Sequence, residues 1–156
     1  MLEIAIPKFG LLQLKHLVLD YNGTLSLDGK IAPAAKEKLF QLTQHLKIHI
    51  LTADTFGTAR AELSDVPCEV HVMVGAEQDE QKELYVNNLG ALEVVAFGNG
   101  RNDRRMLNAV RLGIAVLGRE GCAVETLQVA DICILDVVDG LDLLLNPKRL
   151  EATLKL

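Results

Sequence analysis

Apolar residues along the chain gather into four short runs, His16 to Leu19, Ile48 to Leu51, Val94 to Phe97 and Ile132 to Leu135, each bounded by polar or turn residues. Runs of that length predict buried strands. Between them the spacing turns helical. Ala34 to Leu46 places Ala35, Leu39, Leu42 and Leu46 on one face, and Glu77 to Leu89 does so more weakly with Leu84, Val86 and Leu89. Weaker strand patterns lie at Glu69 to Val74 and Gly113 to Val116. Strands alternating with helices imply right-handed crossovers and a mainly parallel sheet with helices on both faces, an α/β, Rossmann-like layering.

Leu2 to Pro7 reads as an added edge strand, and Pro147 to Leu156 as a closing helix. Thr24 to Ile31, TLSLDGKI, alternates around Asp28-Gly29, a strong short hairpin signal, and predicts a small flap after the first core strand. No internal repeat, low-complexity tract or Pro/Ser-rich linker divides the chain. Residues 1–156 are therefore expected to form a single domain, a usual size for one core.

With 49% hydrophobic and 24% charged residues the composition is globular. A formal net charge of -5 argues against nucleic acid or anionic membrane as a general partner, since both select for excess Lys and Arg. Cys68, Cys122 and Cys133 are odd in number and widely spaced, fitting neither a disulfide framework nor a zinc site, and they suit a reducing cytoplasm. No apolar run is long enough to span a bilayer, and Met1-Leu2-Glu3 does not open an export signal.

In an open parallel sheet, ligands bind beyond the carboxyl ends of the strands. After the His16 strand stands Asp20-Tyr21-Asn22-Gly23-Thr24; after the Ile48 strand, Thr52-Ala53-Asp54; ahead of the Val94 strand, Lys82; after it, Gly98-Asn99-Gly100-Arg101-Asn102-Asp103. A strand-end carboxylate such as Asp20 can attack phosphorus if a cation and a lysine neutralise the phosphoryl oxygens. Lys82 supplies a point charge, Thr52 a hydroxyl donor, and Asp103 with the Asn99 amide oxygen offers hard ligands of the kind magnesium takes. Gly23 and Gly100 let backbone approach a ligand closely.

In that order the motifs resemble the haloacid dehalogenase (HAD) superfamily of aspartate-nucleophile phosphotransferases, over nearly the whole chain. LTADTFGTARAELS at Leu51 to Ser64, and QKELYVNNLG ahead of AFGNGRNDRRML, look most like the phosphorylation domain of P-type ATPases, in a soluble, capless form. The resemblance implies Asp20 as nucleophile, with Thr52 and Lys82 completing the catalytic set. It implies phosphate contacts from Asn22, Gly23, Thr52, Ala53, Lys82 and Asn102. It further implies a Mg2+ site from Asp20, the main-chain carbonyl of Asn22, Asn99 and Asp103.

Two positions depart from the family pattern. Asn22 stands where the phosphatases carry an aspartate as general acid and base, and Asn cannot transfer a proton, so turnover of poor leaving groups is expected to be slow. Asn99 stands where a metal-ligating aspartate is usual, which weakens the hold on an ion. The intervals from Thr24 to Thr52 and from Thr52 to Lys82 are too short for a cap or a nucleotide-binding domain. The site is therefore expected to be open, which leaves room for a homo-oligomer and makes ATP specificity doubtful. The implied substrate is a phosphorylated small molecule or phosphoprotein. Two alternatives stay open: a non-catalytic or regulatory phosphate-binding protein, and an ATPase-type phosphorylation module working with a partner.

Each motif also has an ordinary reading, as a turn or a solvated helix face. Arg101, Arg104 and Arg105 either draw an anion or form the polar face of a helix, and Asp54 either nears the phosphate or caps the following helix. His16, His45, His49 and His71 show no metal-ligand spacing.

Overall fold

The computed structural model describes residues 1–54 and 56–156, so Thr55, inside the second motif, lies outside the described residues. Among the described residues eight strands and seven α-helices follow one another: β1 (Leu2–Ile6), β2 (Gly10–Leu14), β3 (His16–Asp20), α1 (Pro33–Leu42), β4 (Lys47–Thr52), α2 (Thr58–Glu62), β5 (Glu69–Val72), α3 (Gln78–Leu89), β6 (Val94–Gly98), α4 (Arg104–Ala109), β7 (Leu112–Val116), α5 (Val124–Val129), β8 (Ile132–Ile134), α6 (Val137–Leu145) and α7 (Pro147–Leu154).

Six strands form one parallel sheet in the order β5-β4-β3-β6-β7-β8. The chain runs outward from β3 to β5, then returns to place β6 on the other side of β3. That reversal opens a crevice at the carboxyl ends of β3 and β6, where a doubly wound sheet binds ligands. Both central strands are buried on both faces, which explains why HLVLD and VVAFG read as continuous apolar runs.

The two faces carry separate apolar layers. On one, Leu17, Leu19, Ile48, Ile50 and Phe97 meet Leu39 of α1 and Leu141 and Leu144 of α6. On the other, Val18, Leu51 and Ala96 meet Val86 of α3 and Met106 and Leu107 of α4. Helix α6 lies close on its face: a Cβ at Gly140 would come within 2.5 Å of the Phe97 ring.

The N-terminal strand is a correction to the sequence pattern. Leu2–Ile6 pairs antiparallel with Gly10–Leu14 in a separate two-stranded sheet and adds no edge to the main one. Ile4, Ile6, Leu12 and Leu14 alternate inward and bury against the α1/α6 layer, so the alternation in both segments is that of a half-covered hairpin. Helix α1 also stops at Leu42, four residues before the apolar pattern does, and Leu46 reaches the core from the following turn. The flap turns at Asp28 and Gly29, both at positive φ, with reciprocal backbone bonds between Leu27 and Lys30. No described helix is long and apolar enough to cross a membrane.

Candidate active site

β3 ends on Asp20, a residue only 8% exposed. Across the crevice β6 ends on Gly98, and the next residues turn into a short 3-10 segment, Arg101–Asp103, which brings Asp103 back beneath the loop, fully buried. The turn is so tight that a Cβ on Gly98 would lie 2.5 Å from that of Asp103. The Asp103 Oδ2 accepts the main-chain N–H groups of Asn99 (3.0 Å) and Gly100 (2.9 Å), so the loop is wrapped around its own carboxylate.

Lys82 joins the two sides. One turn inside α3, it is 1% exposed, and its Nζ donates to Asp20 Oδ1 and to Asp103 Oδ1, both at 2.7 Å. Burial works against the ammonium, but the two carboxylates outweigh it and hold Lys82 above the usual lysine value. The pair still exceeds the single cation by one charge. Burial and the Asp103 carboxylate push Asp20 up to about 7, against the pull of Lys82 and the hydroxyl of Thr24. A buried cluster short of one positive charge suits a further cation.

Thr24 closes the cluster on the flap side. Its hydroxyl lies 3.2 Å from Asp20 Oδ2 and 3.0 Å from Asn99 Oδ1, one hydrogen between two acceptors. Asn99 is held at its other end, donating Nδ2 to the Gly121 carbonyl at 3.1 Å. Gly23 stands at φ +78, and a Cβ there would meet Asn99 Nδ2 at 2.6 Å, so glycine is required both for the turn and for the approach.

Other sequence-indicated residues surround this centre less directly. Thr52 is buried and its oxygen accepts the Asp54 N–H at 3.0 Å. Asn22 and Ala53 are exposed and line, with Tyr21 and Asp54, an open cavity of about 240 Å³ beside the flap. Asn102 is turned away from the carboxylates, its amide 3.4 Å from Gln78 at the surface. Asp54 takes the capping role: its carboxylate accepts from the N–H groups of Phe56 and Ala59 at the start of α2. The three arginines are engaged by acids, Arg101 and Arg104 with Glu125, and Arg105 with Glu80 and Glu83, which is the polar-face reading. Thr24 was not singled out as a site residue by sequence, although it follows Gly23 in the first motif.

Among the described residues no three His, Cys, Asp or Glu side chains converge as a metal site. The oxygens of Asp20, Asp103 and Asn99 are brought together through Thr24 and Lys82, a hard, all-oxygen set of the kind a divalent ion takes.

No family model matches the chain. The uncharacterized protein MJ0073 of Methanocaldococcus jannaschii is 48% identical over 61 residues, 39% of this chain and 66% of that protein. The Arabidopsis thaliana protein named probable copper-transporting ATPase HMA5 is 31% identical over 129 residues, 78% of this chain but 12% of its own length. Among solved structures, a Legionella pneumophila protein described as an HAD-superfamily hydrolase of subfamily III A superposes with a TM-score of 0.73 at 18% identity, over 90% of this chain and 87% of the other. The 3-deoxy-D-manno-octulosonate 8-phosphate phosphatase of Moraxella catarrhalis, solved with magnesium, phosphate and KDO, gives 0.71 at 16% identity, over 86% and 87%. The catalytic domain of the CPx-ATPase CopB-B gives 0.60 at 24% identity, over 73% of this chain and 45% of that one.

Proposed function

We propose that this chain, whose fold is that of solved haloacid dehalogenase phosphatases, is a magnesium-dependent phosphohydrolase or phosphotransferase that works through an aspartyl-phosphate on Asp20. The observation that carries this is the Lys82 ammonium, buried and 2.7 Å from both Asp20 and Asp103. A lysine placed there is poised to offset phosphoryl charge beside the nucleophile. Thr52 would donate its hydroxyl to a phosphoryl oxygen, and the exposed Asn22 and Ala53 border the open cavity through which a substrate would enter.

Magnesium, when bound to the oxygen set of Asp20, Asp103, Asn99 and the Asn22 carbonyl, would neutralise charge on phosphate and carboxylate alike. In the reaction Asp20 Oδ attacks phosphorus in line, the bond to the leaving-group oxygen breaks, and that oxygen departs with the electron pair. Water then attacks the aspartyl-phosphate, restoring the carboxylate and releasing phosphate. Asn22 offers no proton to either step, so acyl and aryl phosphates, whose oxygens leave as stable anions, are the favoured substrates, and hydrolysis of the intermediate is slow. The free Cys68, Cys122 and Cys133 are in keeping with a cytoplasmic setting.

The engagement of Asn99 Oδ1 by Thr24 favours a second reading, a protein that binds phosphate groups without turnover. Magnesium-dependent phosphate release from an aryl phosphate decides between them. Release by the native chain that is lost in Asp20→Asn supports the enzyme; equal or absent release in both supports the binding protein.

A further inference from the structure

Beneath α3, toward the amino ends of the strands, lies a half-buried polar chain to which the phosphate chemistry gives no role. His49 on β4 is fully buried within the second apolar face of the sheet. Its Nε2 lies 3.0 Å from Nδ1 of His16 on β3, and its Nδ1 lies 2.8 Å from the hydroxyl of Tyr85 on α3. Each link holds one hydrogen in either tautomer. Glu69 approaches His49 Nδ1 at 3.4 Å and is itself paired with Lys47, and the His71 ring packs against Tyr85 with centroids 5.2 Å apart.

The three elements joined by this chain are those that deliver the site. β3 ends on Asp20, β4 ends on Thr52, and Tyr85 follows Lys82 by nearly one helical turn. Apolar residues of the same shape would bury as favourably, since polar groups repay their desolvation only when each finds a partner. A hydrogen-bond chain adds direction. Val86 and its apolar neighbours tolerate sliding of a helix over a sheet, whereas bonds of 2.8 and 3.0 Å fix both the height and the rotation of the turn that carries them.

We infer that His16, His49 and Tyr85 form a positioning device for Lys82, locking α3 over β3 and β4 so that its Nζ meets Asp20 and Asp103 together. None of the three touches a reacting group; they act through the helix. The inference deepens the phosphotransfer reading and rests on it for its kinetic consequence, but the placement of Lys82 is measurable without turnover.

The test pairs Tyr85→Phe, which removes one hydroxyl, with Val86→Ala, which removes core volume from the next residue of the same helix and leaves the chain intact. The ¹⁵N resonance of the Lys82 ammonium, assigned by its disappearance in Lys82→Arg, reports the placement. Tyr85→Phe should shift that resonance or broaden it by faster exchange, and should lower kcat/KM for an aryl phosphate roughly tenfold. Val86→Ala should lower the unfolding midpoint by at least as much while leaving the resonance near its native position. His49→Phe should reproduce Tyr85→Phe, and the double variant should add little. A Lys82 resonance unmoved by Tyr85→Phe, or moved equally by Val86→Ala, would overturn the assignment. Absence of phosphate release by the native chain would overturn the phosphotransfer reading alone, and the resonance would still decide the positioning role.

Discussion

The excess of buried negative charge at Asp20 and Asp103 has a measurable consequence for stability. In the metal-free fold Asp20 is carried from 3.8 up to about 7, first by burial and then by Asp103. A carboxyl whose folded value lies above its unfolded value favours the fold when protonated. That contribution is complete below the unfolded value of 3.8 and is lost as pH rises through about 7. At ~1.4 kcal/mol per pKa unit the full shift is worth at most ~4 kcal/mol, and relaxation of the protein around the buried charge brings the expectation to ~2 kcal/mol. Asp20→Asn removes the charge while keeping an oxygen for Lys82 to meet. In chelator at pH 8 the variant should therefore be more stable than the native chain by ~2 kcal/mol, roughly 4–8 °C in Tm for a domain of this size. The gain should shrink toward pH 5, where the native Asp20 takes up its proton. Urea and thermal unfolding of both proteins from pH 5 to 8 measure it. Added magnesium should stabilise the native chain more than the variant, since an ion that binds only the fold shifts the equilibrium by mass action. A variant less stable at pH 8, or a gain that does not change with pH, would refute the charge accounting.

Three further outcomes follow from other residues. Asn22→Asp should speed hydrolysis of an alkyl phosphate by roughly 100-fold or more, the usual worth of a general acid and base, and an unchanged rate would show that proton transfer does not limit turnover. Gly98→Ala should cost about 1–3 kcal/mol in unfolding free energy and abolish phosphate release, because the new methyl group falls 2.5 Å from the Cβ of the fully buried Asp103; a native-like melt would contradict that packing. His49 is held down at about 4 by burial and by His16, so the unfolded chain takes the proton first on acidification. Stability should therefore be intact above ~6.5 and fall toward pH 4 by up to ~2 kcal/mol, allowing for relaxation around the charged ring. Denaturation of the native chain and His49→Leu at pH 7 and 5 checks it, since the leucine variant should lose less on acidification.

Much of this architecture is legible in the sequence because burial on both faces writes β3, β4 and β6 as unbroken apolar runs, and the parallel crossover then places Asp20, Thr52 and Asn99 at one end of the sheet. The positive φ at Asp28 and Gly29 likewise follows from residue type alone. Less legible are elements whose pattern is shared by more than one structure. Leu2–Ile6 alternates as an edge strand would, and only the pairing with Gly10–Leu14 tells the two apart. Helix α6, VVDGLDLLL, hides a helix behind β-branched residues and a glycine that is needed because Phe97 leaves no room for a side chain. In the site, the motif spacing brings Lys82 to Asp20, but no spacing rule reveals that Asn102 turns to Gln78 or that the Thr24 hydroxyl is divided between Asp20 and Asn99. Those are contests among side chains from different loops, settled by packing.

The same contests explain why the two asparagines act in one direction. An aspartate at the position of Asn99 would add a third carboxylate to a pair that already outweighs Lys82, and would tie a metal-free fold more tightly to its ion. With Asn99 the neutral oxygen takes a hydrogen bond from Thr24, and the cluster is short by one charge rather than two. Asn22, exposed at the flap, removes the group that would hasten both departure and hydrolysis. In the proposed reaction Asn99 would lower the demand for a cation and Asn22 would lengthen the life of a phosphorylated Asp20. On the proposed reaction the aspartyl-phosphate would persist, and control of its lifetime would fall to whatever covers the open face beside Asn22 and Ala53.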